Sequence, residues 1–255
     1  VLPGHLLAID PGTGQRGLVQ GIATKEPAFG LPALWVPEDA REQAQMAGYT
    51  VVDAGSAIAT HLSELIKRHG SELLGRQEVQ TLLDEVGKSH PKLVEELIPT
   101  LVPLGTVVRV LGNLLKEGIP IRDLRSILEA ISDHATATKD AEVLTEYARQ
   151  ALARTITKQY LAPDGSLQVI TLDPRLDRSL AEQAVALPPG AMLNLDPTLS
   201  HKLLTGLKQA AERVAARGQQ PIVLCSQVVR RHLRRHSDRQ LHAVPVMGLN
   251  EVDAF

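Results

Sequence analysis

Three residues along one predicted helix, His61, Glu64 and His69, are of the types that bind a metal ion. Their spacing matches neither HExxH nor another ligand pattern, and zinc sites need further Cys or His nearby. Asp53, Ser56 and His61 are the residue types of a catalytic triad, but no G-x-S-x-G sequence surrounds the serine. We therefore interpret these side chains as the capped or solvated face of a helix.

Two further features are of types found in active sites. The run Gly12-Thr-Gly-Gln-Arg-Gly17 lacks both the Gly-Lys-Ser/Thr ending of a P-loop and the spacing of a dinucleotide-binding turn, so we interpret it as a turn. Cys225, the single cysteine, ends an apolar run with no histidine beside it, which favours a small buried side chain over a nucleophile. We therefore predict that the chain is not an enzyme and uses no metal or cofactor.

One basic cluster lies between residues 230 and 239. It comprises Arg230, Arg231, Arg234, Arg235 and Arg239. RNA-binding modules usually add aromatic residues that stack on bases, and none lies between the cluster's flanking aromatics, Tyr160 and Phe255. The 27 Lys and Arg against 29 Asp and Glu give a net charge of -2, which does not favour a polyanionic partner. We favour a solvated face or a protein contact and keep an RNA-binding or regulatory protein as the alternative.

The most unusual local sequence is EPAFGLPALW, residues 26–35, which holds the single Trp and one of the two Phe. Phe29 lies between Pro27 and Gly30, in a segment that cannot form a regular helix. A ring on such a connection, with Glu26 nearby, is typical of a docking site that has an aromatic anchor and a charged rim. A loop that plugs its own core is the alternative.

The elements around these residues follow from apolar periodicity. The first sixty residues predict strands at Leu6–Ile9, Leu31–Val36 and Tyr49–Val52 and a short helix at 38–47. Residues 76–160 predict helices, with apolar stripes at 77–86, 104–115 and 124–131 and a longer helix over 140–160. After residue 165 we predict strands at 167–172, 192–195, 222–225 and 243–247, alternating with helices at 177–186, 198–217 and 227–235. The order is thus α/β, then all-α, then α/β.

Longer strings of the sequence resemble the cytoplasmic part of the type III export-gate family, FHIPEP, which has flagellar and injectisome members. Those strings include TKEPAFGLPALWV at 24–36, AGYTVVDAGSAIATHLSELIKRH at 47–69 and VLGNLLKEGIPIRDLRSILEAI at 110–131. The resemblance is looser after residue 165. It implies an integral membrane protein at the cytoplasmic face of the bacterial inner membrane, whose membrane part lies outside this chain.

The resemblance also implies a multidomain fold of four subdomains that assembles into a homo-oligomeric, nonameric ring. On this basis we expect α/β subdomains over 1–73, all-helical residues 74–160 and a C-terminal α/β subdomain over 161–255. Within 1–73 we expect a truncated first subdomain with a second one inserted at about 5–53.

Members of the family bind export chaperones together with their substrates and pass them to the membrane channel, so the resemblance implies a docking platform. The implied chaperone site is a hydrophobic dimple. Its residues here are Glu26 and Phe29 of the EPAFG motif, Val52 of GYTVVD and Thr60 of ATHL. Glu26 stands where related sequences often carry Asp.

Other partners implied by the resemblance are the ATPase complex and the companion gate protein of the export apparatus, but not nucleic acid. The nearest alternative is an injectisome gate with virulence substrates. GYTVVDAGSAIATHL favours the flagellar branch.

Overall fold

The computed structural model describes residues 2–12, 17–188 and 190–253. The chain divides into two compact units, unit 1 (Val1–Gly70) and unit 2 (Ser71–Phe255). The α/β and helical character predicted along the chain is confirmed, but the three-way division at residues 73 and 160 stays a prediction.

Unit 1 is built on a four-stranded antiparallel sheet. Its elements are β1 (His5–Ile9), β2 (Ile22–Lys25), β3 (Pro32–Pro37), α1 (Arg41–Met46) and β4 (Thr50–Val52), and α2 (Ala54–Leu73) follows across the unit boundary. The strand order is β2-β3-β1-β4. Three of the four strands were predicted, and β2 was missed because its side chains are mostly exposed and show no apolar alternation.

The two faces of this sheet pack against different helices because successive side chains of a strand point to opposite faces. Leu6, Ala8 and Val36 lie in one buried cluster with Ala44 of α1. The opposite face forms a second cluster with Ala57 of α2, which contains Leu7 and Ala33 and the partly buried Ile9, Trp35 and Val52. Trp35 pairs with Leu7 on one side and with Ile22 of the edge strand β2 on the other.

The first half of unit 2 is helical. The helices are α3 (Arg76–Ser89), α4 (Pro91–Glu95), which continues into a kinked helical segment (Glu96–Leu101), α5 (Leu104–Lys116), α6 (Leu124–His134), α7 (Ala141–Ala151) and α8 (Ala153–Tyr160). Their apolar stripes form one core that includes Val79, Leu111 and Ile127. The predicted single helix over 140–160 is wrong, because the helix is interrupted at Leu152.

The second half of unit 2 is an α/β structure. It contains β5 (Val169–Thr171), α9 (Pro174–Val185), α10 (Pro197–Ala215), β6 (Ile222–Cys225), α11 (Gln227–Ser237) and β7 (Val246–Gly248). The strands form a parallel sheet in the order β5-β6-β7. The strand predicted at Met192–Leu195 is wrong: Leu193 and Leu195 pack partly buried against the core from a connection that ends at Asp196, the N-cap of α10.

Among the described residues, no single helix is long and apolar enough to span a membrane. Two consecutive helical segments, Pro91–Leu101 and Leu104–Lys116, meet the length and hydropathy criteria only when they are taken together, and the chain bends by 108° between them. Apolar residues of both members lie in the core of unit 2.

Candidate functional site

The loop that presents Phe29 joins β2 to β3 and is closed by its own backbone. The Glu26 N–H donates to the Leu31 carbonyl at 2.8 Å, and the Gly30 N–H donates to the Glu26 carbonyl at 2.9 Å. Gly30 has a φ of +73°, in the left-handed region that favours glycine. The backbone of this loop is therefore a defined hairpin connection.

The carboxylate of Glu26 organises the same loop from inside. The residue is only 3% exposed. Its Oε1 accepts a hydrogen bond from the Ala28 N–H at 2.8 Å, and its Oε2 accepts one from the Phe29 N–H at 2.6 Å. Sequence reasoning placed Glu26 on a charged rim, whereas the structure uses the charge to hold the backbone of the loop.

Phe29 is 64% exposed and Leu31, two residues later, is 39% exposed. The alternative in which the ring of Phe29 plugs its own core is therefore wrong for this structure. A rigid, exposed aromatic side chain is suited to anchoring a partner because its contact area is large and little conformational entropy is lost on binding.

Val52 lies in β4 and Thr60 lies in α2, the helix that packs against one face of the sheet. Val52 pairs with Leu7 and is partly buried in the cluster beneath Ala57. Thr60 is exposed on α2, three residues beyond Ala57. The structure thus joins Glu26 to Phe29 in one loop, places Val52 against the beginning of α2 and leaves Thr60 on that helix.

A cleft of about 340 Å³ lies between the sheet of unit 1 and α2. Its lining residues are Leu7, Thr24, Lys25, Pro27, Trp35, Ala57, Ile58 and His61. Pro27 also belongs to the Phe29 loop, so the cleft and the loop are continuous. Sequence reasoning missed the cleft because its residues come from three strands and a helix, and His61 was considered only as a metal ligand or catalytic base.

The other candidate residues on α2 have structural partners. The Asp53 carboxylate accepts hydrogen bonds from the Ser56 N–H and hydroxyl, both at 2.8 Å. The first of these bonds is the main reason that the pKa of Asp53 is lowered. Asp53 thus caps α2, and Glu64 pairs with Lys67 at 2.7 Å.

Neither a metal site nor an activated thiol is found among the described residues. Within residues 2–12, 17–188 and 190–253, no group of three or more His, Cys, Asp or Glu could hold a metal ion. Thr13 to Arg16 of the glycine-rich run lie outside the described residues. Cys225 is buried, and burial, followed by the charge of Asp177, raises its pKa to about 12, so the thiol is not activated as a nucleophile.

The arginine cluster is engaged with acidic residues of the helical part of unit 2. Arg230 is 2% exposed. It binds Glu146 through two nitrogens and Glu117 through another at 2.8 Å. Arg149 of α7 donates to both oxygens of Glu251, at 2.5 and 2.6 Å, and to Glu117 at 2.8 Å. We call these five residues the buried ion network.

Opposing effects act on the pKa of Glu117 in this network. Burial alone would raise it, but the positive charges of Arg230 and Arg149 outweigh burial and lower the pKa. Two further arginines of the cluster are paired as well, Arg234 with Asp238 at 3.1 Å and Arg235 with Glu142 at 3.2 Å. These pairings do not favour the RNA-binding alternative.

His232 lies in α11 between these arginines and is buried, and its Nε2 accepts a hydrogen bond from Arg231 Nε at 3.3 Å. Burial, followed by the charges of Arg231 and Arg235, lowers its pKa from the ordinary 6.5. Because the folded state favours the neutral ring, the unfolded chain binds a proton first as the pH falls below 6.5. The stability present above this pH is then lost as the pH falls toward the folded pKa.

We therefore expect His232→Gln to reduce the loss of stability between pH 7.5 and 5, by at most about 1.4 kcal/mol per pH unit. Urea unfolding followed by circular dichroism at several pH values measures it. His201→Gln, on α10, is the control. Parallel pH profiles for the wild type and His232→Gln would contradict the prediction.

Comparison with known proteins agrees with this fold. The sequence model of the FHIPEP family matches residues 1–254. The chain belongs to the FHIPEP family.

Two of its FHIPEP relatives are flagellar biosynthesis proteins FlhA. The one from Bacillus subtilis (strain 168) is 40% identical over 250 residues, covering 98% of this chain and 37% of the relative. The one from Escherichia coli (strain K12) is 44% identical over 246 residues, covering 96% and 35%. The chain thus spans about a third of these relatives' length.

Two solved structures have a similar fold. The Chlamydia pneumoniae CdsV and CdsO complex matches with a TM-score of 0.79 and 30% identity, covering 99% of this chain and 74% of that one. The nonameric SctV-C of EPEC matches with a TM-score of 0.74 and 24% identity, covering 99% and 76%.

Proposed function

We propose that this FHIPEP chain is a cytoplasmic docking platform of the flagellar type III export gate, which binds export chaperones with their substrates and passes them to the membrane channel. The observation that carries the proposal is Phe29, exposed on a loop whose backbone is held by its own buried Glu26. Relatives at 40% and 44% identity are flagellar FlhA proteins, which supports the flagellar branch over the injectisome alternative.

Docking at Phe29 accounts for reversible binding. Covering one aromatic side chain contributes about 2 kcal/mol, which gives specificity without tight association. A ring of identical chains raises the effective affinity through multivalency. We propose a nonameric ring at the cytoplasmic face of the inner membrane, supported by the nonameric SctV-C neighbour.

Contacts with the ATPase complex and the companion gate protein belong to the same proposal. The solved complex of CdsV with CdsO supports the idea that this fold binds further proteins. In the proposed assembly, Val52 and Thr60 line the surface beside the Phe29 loop.

We expect Phe29→Ala to abolish or strongly reduce calorimetric binding of flagellar chaperone and substrate complexes. Its unfolding free energy should change by less than about 0.5 kcal/mol, because the ring is 64% exposed. Met46→Ala, at a residue 83% exposed on α1, removes a comparable apolar side chain elsewhere in unit 1 and is the control. If the wild type binds no flagellar complex, the flagellar assignment is wrong; if Phe29→Ala binds as well as wild type, the site is wrong.

A further inference from the structure

The strand β2 is an edge of the sheet of unit 1, because the strand order is β2-β3-β1-β4. Three of its four side chains are exposed, and Ile22 is 57% exposed. Natural sheets usually protect such an edge with a proline, a bulge or several charged side chains. β2 has neither a proline nor a bulge, and its one charged residue is Lys25. The backbone of this edge is therefore accessible to a further strand.

The register of the sheet determines which backbone groups of β2 point outward. The Glu26 N–H donates to the Leu31 carbonyl, so hydrogen-bonded pairs between β2 and β3 recur at every second residue from there. Ala23 and Lys25 lie between these pairs, and their N–H and C=O groups therefore point away from β3. No hydrogen bond joins either N–H to another described residue outside the sheet. β2 thus presents donors and acceptors to solvent at the spacing that a neighbouring strand needs.

The same register assigns the side chains of β2 to the two faces of the sheet. Ile22 pairs with Trp35, which packs in the cluster beneath α2, so Ile22 and Thr24 lie on the face that α2 covers. Thr24 and Trp35 both line the cleft of about 340 Å³. The Lys25 side chain lies on the opposite face, because successive side chains of a strand alternate. The cleft therefore reaches the edge strand, and a partner residue placed opposite Thr24 lies beside it.

We propose that β2 accepts an extended segment of the protein that docks at Phe29, which adds to the sheet as a fifth, antiparallel strand. The proposal rests on the proposed function, and one partner reaches both places because the Phe29 loop follows β2 directly. Backbone hydrogen bonds to Ala23 and Lys25 supply affinity, and side chains on the two faces supply specificity. The carboxylate of Glu26 already holds the adjoining loop, so the edge loses little conformational entropy on binding.

The two faces define the sequence of this segment. Side chains opposite Thr24 and Ile22 lie on the face of α2, where apolar residues cover the exposed part of Ile22 and the cleft. A side chain opposite Lys25 lies on the other face, and an acidic residue there forms a cross-strand pair of opposite charge. An antiparallel segment therefore reads, from its N-terminal end, acidic, apolar, any residue, apolar.

Capped peptides titrated into the 255-residue chain test the strand addition. The probe is acetyl-Glu-Val-Thr-Val-amide, with two forms of it that are methylated at one backbone nitrogen. Methylation of the Thr nitrogen removes the donor to the Ala23 carbonyl, whereas methylation of the first Val nitrogen removes an N–H that points away from β2. We expect the first form to bind about fivefold more weakly than the second, as for one lost hydrogen bond. Equal affinities of the two forms, or no saturable binding of the unmodified peptide, would overturn the proposal.

Amide hydrogen exchange followed by NMR locates the added strand. In the saturated complex, exchange of the Ala23 and Lys25 N–H groups should slow, because both become hydrogen-bonded. Exchange at Ile22 and Thr24 should change little, since these residues already bond to β3. Slowing confined to residues outside β2 would place the peptide elsewhere and contradict the proposal.

Variants of β2 test the same contacts from the side of the protein. Ala23→Pro removes one outward N–H and keeps the bonds to β3, because proline is tolerated on an edge strand where the N–H faces solvent. It should bind the peptide about fivefold more weakly, while Ala23→Ser keeps the N–H and should bind as wild type. The fluorescence of Trp35 during urea unfolding checks that unit 1 stays folded. Lys25→Glu is a second variant and should prefer acetyl-Lys-Val-Thr-Val-amide to the acidic peptide by about twofold to fivefold. Wild-type binding by both Ala23→Pro and Lys25→Glu would show that β2 is not the site.

Calorimetry with the flagellar complexes separates this inference from the proposed function. If wild type binds them, Phe29→Ala loses them and Ala23→Pro binds them unchanged, the inference fails while the proposed function stands. If the peptide adds to β2 but no flagellar complex binds, the proposed function fails, and with it the identity of the partner. A dimer of this chain in analytical ultracentrifugation that Ala23→Pro abolishes would make the added strand a second copy, which also overturns the inference.

Discussion

Replacing Arg149 by methionine is expected to lower the unfolding free energy of unit 2 by about 3–5 kcal/mol, the range found when one partner of a buried ion pair is removed. Arg149 is 3% exposed and makes paired hydrogen bonds to Glu251 besides its contact with Glu117. The buried ion network contains two arginines and three glutamates, so the variant leaves three carboxylates with one cation. Their mutual repulsion is added to the lost hydrogen bonds.

Urea unfolding followed by circular dichroism measures this loss. Trp35 lies in unit 1, so its fluorescence transition should stay unchanged and serves as an internal control. Arg154→Met, at an exposed arginine paired with Asp253, is the matched variant and should cost less than about 1 kcal/mol. Similar stability losses for the two variants would show that the buried ion network does not hold unit 2 together.

The double variant Arg149→Met with Glu251→Met should lose less stability than the sum of the single variants. Replacing both members of a buried pair by apolar residues avoids an unpaired charge. Strictly additive losses would contradict direct coupling between the two side chains.

The second large effect is expected from Glu26→Ala, which should destabilise unit 1 by about 2–4 kcal/mol because two backbone N–H groups lose a charged acceptor. The same variant should lose chaperone binding although Phe29 is intact, since the loop backbone is no longer fixed. Trp35 lies in β3, four residues after Leu31, so its fluorescence reports the unfolding of unit 1.

Two matched variants distinguish the buried role of Glu26 from a contact made to a partner. Glu26→Gln keeps a single acceptor oxygen and should lose part of the stability. Glu38→Ala removes a glutamate at the start of a short 3₁₀ helix in the same unit and should have little effect. If Glu26→Ala weakens binding without lowering stability, the carboxylate acts on the partner and the structural role assigned to it is wrong.

Local signals explain which parts of the fold were predictable. The helix predicted at 104–115 is observed as Leu104–Lys116 because its apolar stripe and the Gly118 and Pro120 that follow it are encoded within a few residues. β2 carries no such signal, since an exposed edge strand has no buried face to impose alternation. The run at 192–195 has the composition of a strand, but it packs against the core through the side chains of Leu193 and Leu195 and does not pair with the sheet.

The site was predictable only where its interactions are local. Phe29 was found because an aromatic residue between Pro27 and Gly30 is unusual in itself. The role of Glu26 depends on side-chain geometry within its own loop, and a rim position was equally compatible with its sequence. Arg149 and Glu251 lie 102 residues apart, so nothing in either neighbourhood indicates that they meet.

That separation bears on how the molecule is made. Translation at about 5–20 residues per second delivers Glu251 roughly 5–20 s after Arg149, far longer than a helical segment needs to form. During this interval the nascent helices have the guanidinium of Arg149 without its main carboxylate. We therefore expect the nascent helical half of unit 2, with Arg149 paired only to Glu117, to be less stable until Glu251 has been synthesised.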